Sequence, residues 1–170
     1  MAGRADGHAY ARSERSGGAF DEDAIRALIA EFVDVEGPLL PILHALNDRF
    51  GHVEVAAIPV IADVLNLTRA EVHGVVTFYH DFRRVPAGRH VIKVCRAEAC
   101  QAMGGRQLVA ELETALGIAL GETTPDGRVT LEPVYCLGNC ALSPSAMVDG
   151  ELIGRVTASR MQSMLTEVGA

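Results

Sequence analysis

A chain of 170 residues with a formal net charge of −7 has room for one ordinary domain, or a small domain and an extension. The acidic balance is wrong for nucleic acid, whose phosphates demand a surplus of Lys and Arg. No apolar run is long enough to span a bilayer, and residues 1–18 lack the apolar stretch of a secretory signal, so the expected setting is the cytoplasm. Residues 1–20 are rich in Ala, Gly, Ser and Arg, show no periodicity and are expected to form a flexible tail.

From Asp21 the pattern turns helical. Ile25, Leu28, Ile29, Phe32 and Val33 share one face, and Asp21, Glu22 and Asp23 place negative charge at the start, where the helix dipole favours it. A second helix is expected from Pro38, with Leu39, Leu40, Leu43, Leu46 and Phe50 on its apolar face and Gly51 at its end. Ile58 to Leu65 follows. Thr68 and Glu71 then have the spacing of a capping box, which predicts a helix over 69–77 leading into Phe78, Tyr79 and Phe82. Residues 21–84 therefore read as an all-helical module.

Val85-Pro86-Ala87-Gly88 is a turn or linker, and the period changes after it. His90 to Val94 reads as a strand, and a helix is expected after Cys100 and the Gly104-Gly105 pair. Arg128 to Tyr135 reads as a second strand. Ala146 to Val148 and Leu152 to Val156 flank Asp149-Gly150, a hairpin signal. A closing helix is expected from Ala158 to Val168, capped by Thr157 or Ser159. The order β-α-β, then β-β-α, is the thioredoxin-like arrangement, so residues 85–170 form an α+β or α/β domain of that type behind the helical module.

The only four cysteines of the chain fall in this second part. Cys95 and Cys100 make a C-x4-C pair after the first strand; Cys136 and Cys140 make a C-x3-C pair after the second. In the cytoplasm thiols stay reduced, which favours metal over disulfides. If the two strands are parallel neighbours, both loops leave the same end of the sheet, where ligands sit in open α/β sheets. Cys100 is expected just before a helix N-terminus, with Gly138 and Arg96 also suiting an anionic centre. Zinc is the alternative, although its usual cysteine pairs are C-x2-C. A dithiol redox site would ordinarily show C-x-x-C.

The stretch Val94-Cys95-Arg96-Ala97-Glu98-Ala99-Cys100-Gln101-Ala102-Met103-Gly104-Gly105 resembles the gamma subunit of NAD-dependent, molybdenum-containing formate dehydrogenases. Tyr135-Cys136-Leu137-Gly138-Asn139-Cys140-Ala141-Leu142-Ser143-Pro144 resembles the second half of the same motif. Gly74-Val75-Val76-Thr77-Phe78-Tyr79-His80-Asp81-Phe82 resembles the segment joining that family's helical and thioredoxin-like parts. The wider family is the thioredoxin-like [2Fe-2S] subunit of respiratory complex I and NAD-reducing hydrogenases. The resemblance implies one [2Fe-2S] cluster on Cys95, Cys100, Cys136 and Cys140, and docking on a flavoprotein subunit that carries FMN and exchanges electrons with NAD. It places further iron–sulfur clusters and the molybdenum cofactor on partner subunits, the latter on a large formate dehydrogenase subunit.

Other residues carry less chemistry. His44, His52, His73, His80 and His90 are expected to pack or cap rather than bind metal. The three aromatics Phe78, Tyr79 and Phe82 read as a bolt between the two parts. Ser143 and Ser145 have no histidine and acid companions that would make a nucleophile, and a cis bond is expected at Ser143-Pro144. There is neither a G-x-G-x-x-G fingerprint nor a P-loop. The reading is an electron-transfer subunit of a soluble NAD-dependent formate dehydrogenase, not catalytic on its own. Its alternatives are the same subunit in an NAD-reducing hydrogenase or complex I, and a structural zinc module.

Overall fold

The computed structural model describes residues 20–170, which form two compact units, one ending at Pro86 and the other starting at Ala87. The tail expected over residues 1–20 lies outside the described residues except for Phe20, which packs on the core of the first unit.

The first unit is four helices. α1 (Glu22–Ala30) starts where the Asp21 carboxylate accepts the Ala24 N–H at 3.0 Å. α2 (Leu39–Phe50) ends at Gly51, whose φ of 77° only glycine adopts without cost. α3 (Ala57–Leu65) ends at Asn66, also left-handed. α4 (Arg69–Phe78) has the full capping box: Glu71 N–H donates to the Thr68 hydroxyl, and Thr68 N–H donates to the Glu71 carboxylate at 2.8 Å. Their apolar stripes close on Ile29, Ile42, Leu43, Leu46, Ile61 and Val72, all fully buried. Each such side chain contributes about 1.5–3 kcal/mol.

Three expectations shift here. Pro38 caps α2 rather than opening it, which turns Leu40 outward and buries Ile42 instead. α1 stops at Ala30, so Val33 leaves the apolar face and is exposed. α4 ends at Phe78, before His80 can share a face with His73. Past that end the helical phase is lost: Phe82 turns into the helical core against His44, ring centres 5.0 Å apart, while Phe78 is 73% exposed.

The second unit is an α+β layer built on one sheet. In chain order it runs β1 (His90–Cys95), α5 (Glu98–Ala102), α6 (Gly105–Leu116), β2 (Val129–Val134), a single 3-10 turn (Cys140–Leu142), β3 (Ala146–Val148), β4 (Glu151–Ile153) and α7 (Ala158–Glu167). The sheet order is β2-β1-β3-β4. β1 is parallel to β2, with Cys95 opposite Val134, and antiparallel to β3, with Val94 opposite Ala146. Central β1 is buried on both faces: Ile92 and Val94 on one face join the cluster of Leu112, Leu131, Met164 and Leu165, and Val91 and Cys95 lie buried on the other. The parallel pair requires a helical crossover, which α5 and α6 supply.

β4 is shorter than the sequence suggests. Its continuation turns away to serve another partner: the Arg155 N–H donates to the Leu142 carbonyl at 2.6 Å, and the Val156 N–H to that of Pro144 at 2.9 Å. The Ser143-Pro144 bond is cis. Among the described residues no helix is long and apolar enough to cross a membrane.

Candidate metal centre

The parallel register sends both cysteine loops out of the same end of the sheet. Cys95 is the last residue of β1, and Cys136 follows two residues after its strand partner Val134. The Arg96 N–H extends the ladder to the Val134 carbonyl at 2.7 Å, and the Cys95 N–H reaches the Ser145 carbonyl at 3.1 Å. Cys95 is thus pinned on both sides, by β2 and by the approach to β3.

Cys100 precedes α6, as the sequence suggests, but itself lies inside the short helix α5. Five residues are too few to show a period, and this short turn hides in the sequence beside the longer α6. Arg96 enters the site through its backbone, its carbonyl accepting the Gln101 side-chain amide at 2.7 Å. Cys95 and Cys100 are buried, whereas Cys136 and Cys140 are exposed; all four are free thiols.

Polar groups of both loops surround the sulfurs. The backbone N–H groups of Ala97 on its own loop and of Leu137 on the other favour the charged form of Cys95. Cys136 Sγ accepts from the Gly138 N–H at 3.2 Å, a tight approach made possible by a φ of 72° at Gly138. Cys100 Sγ lies 3.6 Å from the Ser143 hydroxyl. Ser145, almost fully buried, receives the Asn139 side-chain amide at 3.2 Å and donates toward the Leu142 and Asn139 carbonyls. The hydroxyls of Ser143 and Ser145, dismissed as nucleophiles, are the site residues that sequence reasoning overlooks. Their signal is position alone, immediately after the second cysteine pair.

The thiols feel one another. Burial pushes Cys95 up, and neighbouring Cys100 adds to the rise. Burial also opposes ionisation of Cys100, but the Ser143 hydroxyl, the Cys95 thiol and then the Ser145 N–H and hydroxyl outweigh it and bring that thiol down. Cys140 is raised chiefly by the charge of Cys136 and the hydrogen bond between them, with Cys100 a smaller contributor. Cys95 and Cys140 each lose charge to a neighbouring sulfur, a penalty that a cationic centre would relieve. The influences run mainly within each pair, Cys95 with Cys100 and Cys136 with Cys140, and Cys100 also reaches Cys140 across the two loops. Among the described residues, no three His, Cys, Asp or Glu side chains gather as they would around a single ion.

Among the described histidines, His44, His52 and His90 serve packing and hydrogen bonding. His90, at the far end of β1, holds Asp149 at 2.7 Å, His52 contacts the Phe50 carbonyl, and His44 packs on Phe82.

Residues 25–169 match the family model of the thioredoxin-like [2Fe-2S] ferredoxins. The chain belongs to this family. Among its ferredoxin relatives, an NADH-quinone oxidoreductase subunit of Pseudomonas aeruginosa is 37% identical over 145 residues, 85% of this chain and 87% of that protein. Its counterpart from Escherichia coli is also 37% identical, over 86% of this chain and 89% of its own length. The NADP-reducing hydrogenase subunit HndA of Solidesulfovibrio fructosivorans is 36% identical over 78% of this chain and 77% of its own. The thioredoxin-like fold recurs in the crystal structure of an air-oxidized NAD+-reducing [NiFe]-hydrogenase, with a TM-score of 0.65 at 24% identity, covering 76% of this chain and 22% of that one.

Proposed function

We propose that Cys95, Cys100, Cys136 and Cys140 hold one [2Fe-2S] cluster, and that the chain is the electron-transfer subunit of an NAD-linked oxidoreductase of the NADH-quinone oxidoreductase or NAD-reducing hydrogenase type. One observation carries the reading: Cys100 Sγ of the first loop lies 3.6 Å from the Ser143 hydroxyl at the end of the second, so two segments distant in sequence share one sulfur environment.

Such a cluster, when bound, supplies a one-electron site with no need of acid or base. The protein's part is containment. Cys95 and Cys100 would be ligands within the fold, while Cys136 and Cys140 face outward, toward an electron partner. The N–H groups of Ala97, Leu137 and Gly138 stabilise negative charge on sulfur. The partner proposed is an FMN-bearing, NAD-binding flavoprotein, in keeping with relatives that are themselves named as subunits, and the proposed location is the cytoplasm.

A second reading, the gamma subunit of an NAD-dependent formate dehydrogenase with its molybdenum cofactor on a large partner, is favoured by the wording Cys95-Arg96-Ala97-Glu98-Ala99-Cys100-Gln101. The named relatives support the quinone- or hydrogen-linked host better. Anaerobic purification of the native complex tests both levels. Iron and acid-labile sulfide in equal amounts on this chain are expected; zinc without sulfide would overturn the cluster. Molybdenum in a co-purifying large subunit would select the formate host, and its absence the other.

A further inference from the structure

Ser143 sits where the two ligand loops meet. Its hydroxyl is 3.6 Å from Cys100 Sγ and 2.7 Å from the Cys140 carbonyl oxygen. That carbonyl has a second donor, the Ser143 backbone N–H at 3.3 Å. A serine hydroxyl has one proton and rotates to suit its surroundings. While Cys100 is a thiol, its S–H can donate to the Ser143 oxygen, and the hydroxyl proton stays on the Cys140 carbonyl. Once Cys100 is a thiolate ligand it has no proton to give. The hydroxyl can then turn to the sulfur, and the carbonyl keeps the backbone N–H.

We infer that Ser143 is a positioning residue for the proposed centre: its hydroxyl switches from the Cys140 carbonyl to Cys100 Sγ when that sulfur becomes a ligand, and the O–H···S bond raises the reduction potential. This rests on the cluster assignment above. The physical basis is charge. Reduction adds an electron to an already anionic centre, and a donor on a ligand sulfur stabilises the reduced form more than the oxidised one. The buried setting of Cys100, 2% exposed, strengthens the effect because water is not there to replace the donor.

The test compares full-length Ser143→Thr and Ser143→Val, nearly equal in shape, with the wild type, all loaded with iron and sulfide under strict anaerobiosis. Redox titration followed by paramagnetic resonance reads the potential. Ser143→Thr should stay near the wild type. Ser143→Val should keep its iron and sulfide but show a reduced-to-oxidised ratio about tenfold lower at the same poise, about 59 mV for one electron. An exchangeable deuteron coupled to the centre in heavy water should be lost in Ser143→Val alone. Equal potentials in loaded Thr and Val variants would overturn the inference while leaving the cluster in place. A wild-type chain that takes up no iron and sulfide would overturn both.

Discussion

Gly105 lies directly against the carbonyl of Cys100: a Cβ on Gly105 would stand 2.6 Å from that oxygen and 2.9 Å from its carbon. The first turn of α6 therefore rests on the backbone of a proposed ligand, and only a residue without a side chain fits. The second loop is backed in the same way, since a Cβ on Gly154 would come within 2.7 Å of Leu142 Cβ and 2.8 Å of the Asn139 amide nitrogen.

Gly105→Ala is expected to push Cys100 out of line and cost about 1–3 kcal/mol by overpacking. The measurable outcomes are a lower urea midpoint and faster iron release to a chelator. Equal release from the variant and the wild type would mean that α6 does not set the position of Cys100.

Gly74→Ala should act in the opposite sense. Gly74 is exposed in the middle of α4, and nothing lies within 4 Å of an added Cβ. Lower backbone entropy in the unfolded chain predicts a gain of about 0.5–1 kcal/mol. Thermal unfolding of the two variants side by side separates a glycine demanded by close contact from one that is not.

Replacing Cys136 by Ser tests the exposed half of the site. The side chain is accessible, so the substitution should leave the fold unchanged and alter only the centre. A weakened or shifted paramagnetic signal is expected, with the far-ultraviolet dichroism unchanged. A signal identical to the wild type would remove Cys136 from the ligand set.

Acid should loosen the helical unit through Glu71. The Thr68 N–H and then its hydroxyl hold that carboxyl below the usual carboxylate range. The folded state thus binds the proton less readily than the unfolded chain. The resulting stability is present above the unfolded value and is lost as pH falls through the folded one. Glu71→Gln should flatten the dependence of the urea midpoint between about pH 5 and about pH 3. Thr68→Ala should lower stability by about 1 kcal/mol at neutral pH.

What the sequence makes legible is whatever repeats or obeys local rules. The apolar spacing of Ile25, Leu28 and Ile29, the Thr68–Glu71 box and the Asp149-Gly150 hairpin each depend on neighbours a few residues away, and each recurs in the structure. The placement of both cysteine loops was readable because two strands that lead into them pair in parallel. The inner detail was not. α5 is one and a half turns long and carries no period. β4 stops early because Arg155 and Val156 pair with Leu142 and Pro144, partners no local pattern announces. Phe82 turns inward and Phe78 outward because α4 ends between them. The role of Ser143 follows from where a hydroxyl stands relative to Cys100 and Cys140, a tertiary fact.

The backbone bonds from Arg155 and Val156 to the second cysteine loop impose a schedule on biosynthesis. All four thiols have been made by Cys140, yet the bend that carries the last of them is secured in part by Arg155 and Val156, which come later. A polypeptide cut after Gly154 should therefore emerge colourless although it keeps all four cysteines, whereas the whole chain should turn brown when iron and sulfide are delivered. Assembly of the proposed cluster would then wait for translation to finish.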